Sequence, residues 1–158
     1  MAELLADKIM RRIAQATELY YRLVILVGVA GSGKTAVLQN VHERTLAPLI
    51  NINLDLSRKM LDLTERQRAL QLPRLLSEII DMFQSDVILL DNIEILFDVS
   101  VKQDPLRLLQ GISRRKTIVA AWSGSINSEH IVYAMRGHPE FRRYPLEDFL
   151  VVSLEAIK

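Results

Sequence analysis

Five apolar runs punctuate the chain: "LVILV" (23–27), "APLININL" (47–54), "DVILLD" (86–91), "TIVAAW" (117–122) and "DFLVVSLE" (148–155). They show little polar–apolar alternation. A strand with one solvated face alternates, whereas one that is apolar at nearly every position must be covered on both faces. That is the condition of a parallel sheet packed between crossover helices. The sequence therefore predicts an α/β, three-layer sandwich with a five-stranded parallel sheet. It reads as one domain over 1–158, with an N-terminal amphipathic helix (1–20) ahead of a core at 23–155.

The intervening stretches carry helical signals. Leu4, Leu5, Ile9, Ile13, Ala16 and Tyr20 recur mostly at spacings of three and four, a stripe that would dock on the chain's own sheet or on a neighbouring subunit. Val37, Leu38 and Val41 share one helical face. Thr64 and Gln67 form a capping box opening a helix to about Gln84, kinked or restarted at Pro73. Asp104 before Pro105 is an N-cap with proline at N1, starting a helix through Ile112. Asn127–Arg136 reads as a further helix, stopped by Gly137 with Pro139 beyond it. There is no internal repeat.

Composition narrows the function classes. A chain of 158 residues, 49% hydrophobic, suits one ordinary globular domain. The absence of cysteine excludes disulfides, thiolate zinc sites and cysteine nucleophiles. A net charge of +1 gives no whole-chain attraction to nucleic acid, so direct DNA binding would need a local patch. "RRK" (Arg114–Lys116) is the nearest to one, and reads more simply as a solvated turn. No signal peptide is evident, and no stretch approaches the roughly 20 apolar residues that span a bilayer, which points to a cytoplasmic protein without a membrane partner.

Directly after the first apolar run stands "GVAGSGKT". Gly28, Gly33, Lys34 and Thr35 satisfy G-x-x-x-x-G-K-[ST]. Glycines let a backbone wrap a phosphate and point N–H groups inward, and the following helix offers its positive end. The stretch Gly28, Val29, Ala30, Gly31, Ser32, Gly33, Lys34, Thr35 and Ala36 would hold a nucleotide. Lys34 would reach the β- and γ-phosphates, and the Thr35 hydroxyl would face Mg²⁺. A merely structural turn is the alternative, but a strand before and a helix after the motif are the context that confirms such a match.

"DVILLD" supplies the metal partner. Asp91 falls at the carboxyl end of its strand, where ligands bind in open α/β sheets, and would hold Mg²⁺ together with Thr35. Hydrolysis also needs a group that orients water. The position after Asp91 is Asn92, which could itself position water, and the nearest carboxylate is Glu94, read either as that base or as a surface charge capping "IEILF". Ser123, with Ser125 and Asn127 behind it, sits where a side chain would face a γ-phosphate, but these are also ordinary loop residues. Arg142 and Arg143 are candidate arginine fingers toward a neighbouring subunit or solvated loop arginines. His42, His130 and His138 lack metal-ligand spacing.

With these residues in place, the five strands, the glycine loop, Asp91 and the polar end of the fourth strand resemble the core of AAA+ and related STAND ATPases, of the additional-strand P-loop class. "GVAGSGKT", "VILLDNIEILF" and "HPEFRRYPLEDF", with the chain's length, resemble the small P-loop protein of bacterial BREX phage-defence systems. That resemblance implies an ATPase component, with ATP and Mg²⁺ as cofactors, acting as a homo-oligomer with other defence proteins. Two departures stand out: no helical lid follows the last strand, and the glutamate usually found after the Walker B aspartate is displaced. Both favour activation by oligomerisation or a partner. A non-hydrolytic, ATP-dependent recruiting switch is the main alternative. A small-molecule kinase using Arg58, Arg66 or Arg68 fits less well. A GTPase is weaker still, since no N-K-x-D motif occurs.

Overall fold

The computed structural model describes residues 2–134 and 138–154, with side chains from Leu4 onward. Among the described residues five α-helices and seven strands follow in the order α1 (Ala2–Ala16), β1 (Leu23–Gly28), α2 (Lys34–Thr45), β2 (Leu49–Asn51), α3 (Ile52–Lys59), α4 (Glu65–Asp81), β3 (Val87–Asp91), α5 (Pro105–Ile112), β4 (Thr117–Asn127), β5 (His130–Tyr133), β6 (Arg142–Pro145) and β7 (Leu150–Ser153). The turn Glu94–Phe97, between β3 and α5, is 3₁₀-helical.

The α/β architecture agrees with the sequence. Five strands pair in parallel in the order β2-β3-β4-β1-β7. Alternate residues of each apolar run point to opposite faces. Val24 and Leu26 of β1, with Val119 of β4, pack under α1 and α2 through Leu5, Ile9, Leu38 and Val41. Their neighbours Leu23, Ile25 and Ile118 pack on the other face against Ile52 and Leu56 of α3, Leu72, Leu76 and Ile79 of α4, and Leu109 of α5. Burial on both sides is why the runs do not alternate. Leu5, Ile9, Ile13 and Ala16 of α1 pack on its own sheet, whereas Leu4 is exposed and Tyr20, expected on the same helix, lies beyond its end at Ala16; Asp7 of α1 pairs with Arg44 of α2 at 2.7 Å. Among the described residues no helix is long and apolar enough to cross a membrane.

Both caps read from sequence are present: Thr64 and Gln67 close a reciprocal capping box, and Asp104 accepts from the Arg107 amide. Helix α4 runs through Pro73 without restarting, and ends at Asp81 rather than Gln84. The "RRK" turn is less free than expected. Arg115 pairs with Asp81 at 3.2 Å, the Lys116 ammonium donates to the Ile80 and Phe83 carbonyls at the end of α4, and Arg114 lies 4.6 Å over the Tyr20 ring. Cations at a helix C-terminus satisfy its orphan carbonyls.

Four expectations need correction. The sheet has seven strands, not five. The second strand stops at Asn51, because the Asn51 side chain accepts from the Leu54 amide and caps α3, which takes Ile52, Leu56 and Met60 into the core. The helix expected over 127–136 is instead a hairpin: β5 pairs antiparallel with the far end of β4, and β6 pairs with β5. Residues 135–137, including the expected Gly137 stop, lie outside the described residues, as does Glu155 at the end of the last expected strand. The segment of Arg142 and Arg143, expected as a loop, is β6 itself.

"HIVY" alternates in burial at period two and is rich in β-branched and aromatic residues, so a strand is its favoured state once β4 offers an edge. Trp122 holds the hairpin by donating its indole N–H to the Val132 carbonyl at 3.0 Å. That approach requires Gly124, since a Cβ there would run into the Val132 carbonyl oxygen and press on Trp122 Nε1. Gly124→Ala should therefore cost roughly 2 kcal/mol or more, lowering Tm by about 4–8 °C, read by calorimetry. An unchanged Tm would show that the hairpin does not depend on this close approach.

Candidate functional site

Strands β1, β3 and β4 run parallel, so their carboxyl ends open on the same side of the sheet. In register, Gly28 lies beside Ser123 of β4, and Asp91 lies beside Asn51 of β2. Above them a cleft of about 370 Å³ is lined by Ala30, Gly31, Gly33, Lys34, Thr35, Asp91, Asn92, Glu94 and Ser123. The glycine loop and the acidic strand end, far apart in sequence, thus share one cavity.

The loop keeps its shape through glycine. Gly31 and Gly33 sit at φ +79° and +103°, the left-handed region that side-chain-bearing residues rarely adopt. Gly33 occupies the N-cap of α2 without a side-chain cap, leaving the first-turn amides to be satisfied from outside the helix. Lys34 is only 8% exposed, and its ammonium donates to the Gly28 carbonyl at 2.8 Å and the Val29 carbonyl at 2.9 Å. Burial lowers its pKa, against the opposing pull of the Glu94 and Asp91 charges.

Thr35 and Asp91, 56 positions apart, meet in one bond: the Thr35 hydroxyl donates to Asp91 Oδ2 at 2.6 Å. The other carboxylate oxygen accepts from the Asn92 amide at 2.9 Å. Asp91 is 7% exposed, and a buried carboxylate needs such partners. Among the described residues no group of three or more His, Cys, Asp or Glu is arranged to hold a metal. A hydroxyl beside a single carboxylate is a donor set too small to cage a cation alone. It suits Mg²⁺, which retains waters and takes its remaining oxygens from a phosphate ligand.

Glu94 opens the 3₁₀ turn, half-buried at the cleft wall. Burial raises the pKa of its carboxyl, Asp91 adds to the rise, and Lys34 opposes it. Asn92 adopts a left-handed backbone at φ +52°, a region asparagine tolerates better than most residues. Ser123 lines the cleft, but Ser125 and Asn127 continue into the hairpin, paired with Val132 and His130, and do not line it.

The arginines are elsewhere. Arg142 is tied down, donating to the Gln103 carbonyl at 2.9 Å, and Arg143 is exposed on β6 beside His130. Among the described residues no arginine lines the cleft. A residue missed in the sequence is Asn53 of α3, whose side chain accepts from the Ile95 amide at 2.8 Å. The signal was present as the second asparagine of "NIN", a polar residue inside an apolar run.

A carboxyl held above its ordinary pKa contributes stability that is full below the unfolded-state value and is lost as pH rises through the folded one. Glu94→Gln, neutral throughout, should therefore raise stability at pH 7 and lose that advantage below about pH 4. Urea midpoints at the two pH values test this, and an equal effect at both would make packing the cause. No protein-family model matches the chain, and no curated protein matches it.

Proposed function

We propose that this chain is a P-loop ATPase of the additional-strand class, binding ATP with Mg²⁺ in the cleft above β1 and β3 and hydrolysing it. The observation that carries the reading is the meeting of Lys34, the Thr35–Asp91 pair and Glu94 in one cavity beside a left-handed glycine loop. The insertion of β4 between β1 and β3 supports the class. The loop amides and Lys34 would hold the phosphates, and Thr35 and Asp91 would hold the cation, which supplies charge neutralisation on the transferring phosphoryl group. Glu94 would orient water, and its raised pKa suits a group that exchanges protons.

Arg142 is engaged within its own chain and Arg143 faces outward, which supports completion of the site by a neighbouring copy through Arg143. The resemblance of "VILLDNIEILF" and "HPEFRRYPLEDF" to the BREX protein supports placing the activity in a multi-protein, cytoplasmic phage-defence system. A second reading, a non-hydrolytic switch that recruits partners when ATP is bound, is favoured by the amide Asn92 directly after Asp91.

The test is Mg²⁺-dependent ATP hydrolysis and ATP affinity as protein concentration rises. Wild-type specific activity should climb with concentration and vanish when Mg²⁺ is chelated, and Lys34→Ala should lose at least about 100-fold. Arg143→Ala should remove the concentration dependence while leaving ATP binding intact. Tight binding without turnover at any concentration would select the switch, and absence of binding would overturn both readings.

A further inference from the structure

The segment that carries Glu94 leaves β3 with little regular structure to hold it. Asn92 is left-handed, Ile93 is buried, and the 3₁₀ turn begins at Glu94 without a side-chain cap from its own N-cap residue. The first amides of such a turn have no partner within it. One residue on α3 meets both needs. The Asn53 amide donates to the Asn92 carbonyl at 2.9 Å, and Asn53 Oδ1 accepts from the Ile95 amide at 2.8 Å. The two bonds fall on either side of Glu94, 42 positions away in sequence for the side-chain bond.

Asn53 is itself held in place. It follows the first residue of α3, whose start is fixed by Asn51 accepting from the Leu54 amide, while Ile52 and Leu56 anchor the helix in the core. Asn51 is paired in register with Asp91. The bracket is therefore referenced to the same strand ends that carry the Thr35–Asp91 pair. A left-handed non-glycine residue persists only where its surroundings over-determine it, and the bond from Asn53 to the Asn92 carbonyl is part of that determination.

We propose that Asn53 is a positioning residue that fixes the Glu94 backbone over the cleft by bracketing it between the Asn92 carbonyl and the Ile95 amide. The inference rests on the reading of Glu94 as the water-orienting carboxylate. A group acting on water must be held within a fraction of an ångström, so a loosened bracket slows the reaction without weakening the phosphate cradle on the other wall.

The test compares wild type with Asn53→Ala, which removes the acceptor, and Asn53→Asp, which keeps it. Asn53→Ala should lower ATP turnover roughly ten- to a hundredfold with ATP affinity within about twofold, and Asn53→Asp should restore most of the rate. In the nucleotide-free chain, backbone HN–Hα couplings of Ile93, Glu94 and Ile95 measured by NMR should report one fixed conformation in wild type and averaging in Asn53→Ala. Unchanged turnover in Asn53→Ala, or loss of rate and affinity together, would overturn the inference. If wild type turns over no ATP, the reading of Glu94 fails separately, and the couplings still decide on Asn53: averaging supports the bracket, and unchanged values overturn it.

Discussion

Parallel pairing of β1, β2, β3 and β4 decides which side chains meet. Strands that run the same way end on the same side, so residues at their carboxyl ends converge whatever their separation along the chain. Gly28 closes β1, Asp91 closes β3, and Ser123 lies level with Gly28 on β4. The bond from the Thr35 hydroxyl to Asp91 Oδ2 is the covalently remote contact that this geometry makes possible. An antiparallel arrangement would have put the glycine loop and the acidic residue on opposite ends of the sheet, with no cleft to share.

The electrostatics of that cleft follow from its burial. One ammonium and two carboxyls stand within a small cavity, and each answers the desolvation differently. Lys34 leans on two neutral carbonyls, Asp91 on a hydroxyl and an amide, and Glu94 on a rise in pKa. Hydrogen bonds between charged partners are stronger than those from a charge to a neutral acceptor. Under the proposed function, a phosphate oxygen thus outcompetes the Gly28 and Val29 carbonyls for the Lys34 ammonium. Gly31 and Gly33 already hold left-handed conformations, so on that proposal binding would ask for motion of the Lys34 head group rather than refolding of the loop backbone.

Legibility in the sequence tracks the range of the forces involved. The parallel core, the glycine loop and the capping residues Thr64 and Asp104 are written locally, in apolar runs, short motifs and side chains that reach amides three residues on. The hairpin was misread as a helix because its state is set across its own turn, by the Trp122 indole on the Val132 carbonyl ten residues on and by the space left at Gly124, beyond the three- and four-residue spacings that suggest a helix. Helix α3 was hidden for a simpler reason: "APLININL" is apolar enough for a strand, and only the Asn51 cap divides it. At the site, residue types at motif spacing were legible, whereas Asn53 acts through a backbone amide that no motif encodes. The separation of Ser125 from Ser123 was likewise unreadable, since it depends on where β4 changes partners.

That change of partners bears directly on Glu94. Through Ser123, β4 pairs in parallel with β1, and from Gly124 onward it pairs antiparallel with β5, so the wall of the cleft and the hairpin are one continuous strand. The 3₁₀ turn that begins with Glu94 ends at Phe97, whose ring stacks on Tyr133 of β5 at 3.6 Å between centroids and meets Trp122 edge-on at 5.0 Å. Tyr144 of β6 meets the same indole edge-on and donates its hydroxyl to Asp104, the cap of α5. The charge on Glu94 is felt in return by Tyr133, whose pKa is raised first by burial and then by that carboxylate. Glu94 is thus fixed at one end by Asn53 and at the other by aromatic packing on the hairpin. The edge-on contact of Phe97 with Trp122 is of the kind that adds about 0.5–1.5 kcal/mol beyond the area it buries, which favours this conformation of so short a turn. A hairpin that a helix would have replaced is therefore part of what holds the carboxylate over the cleft.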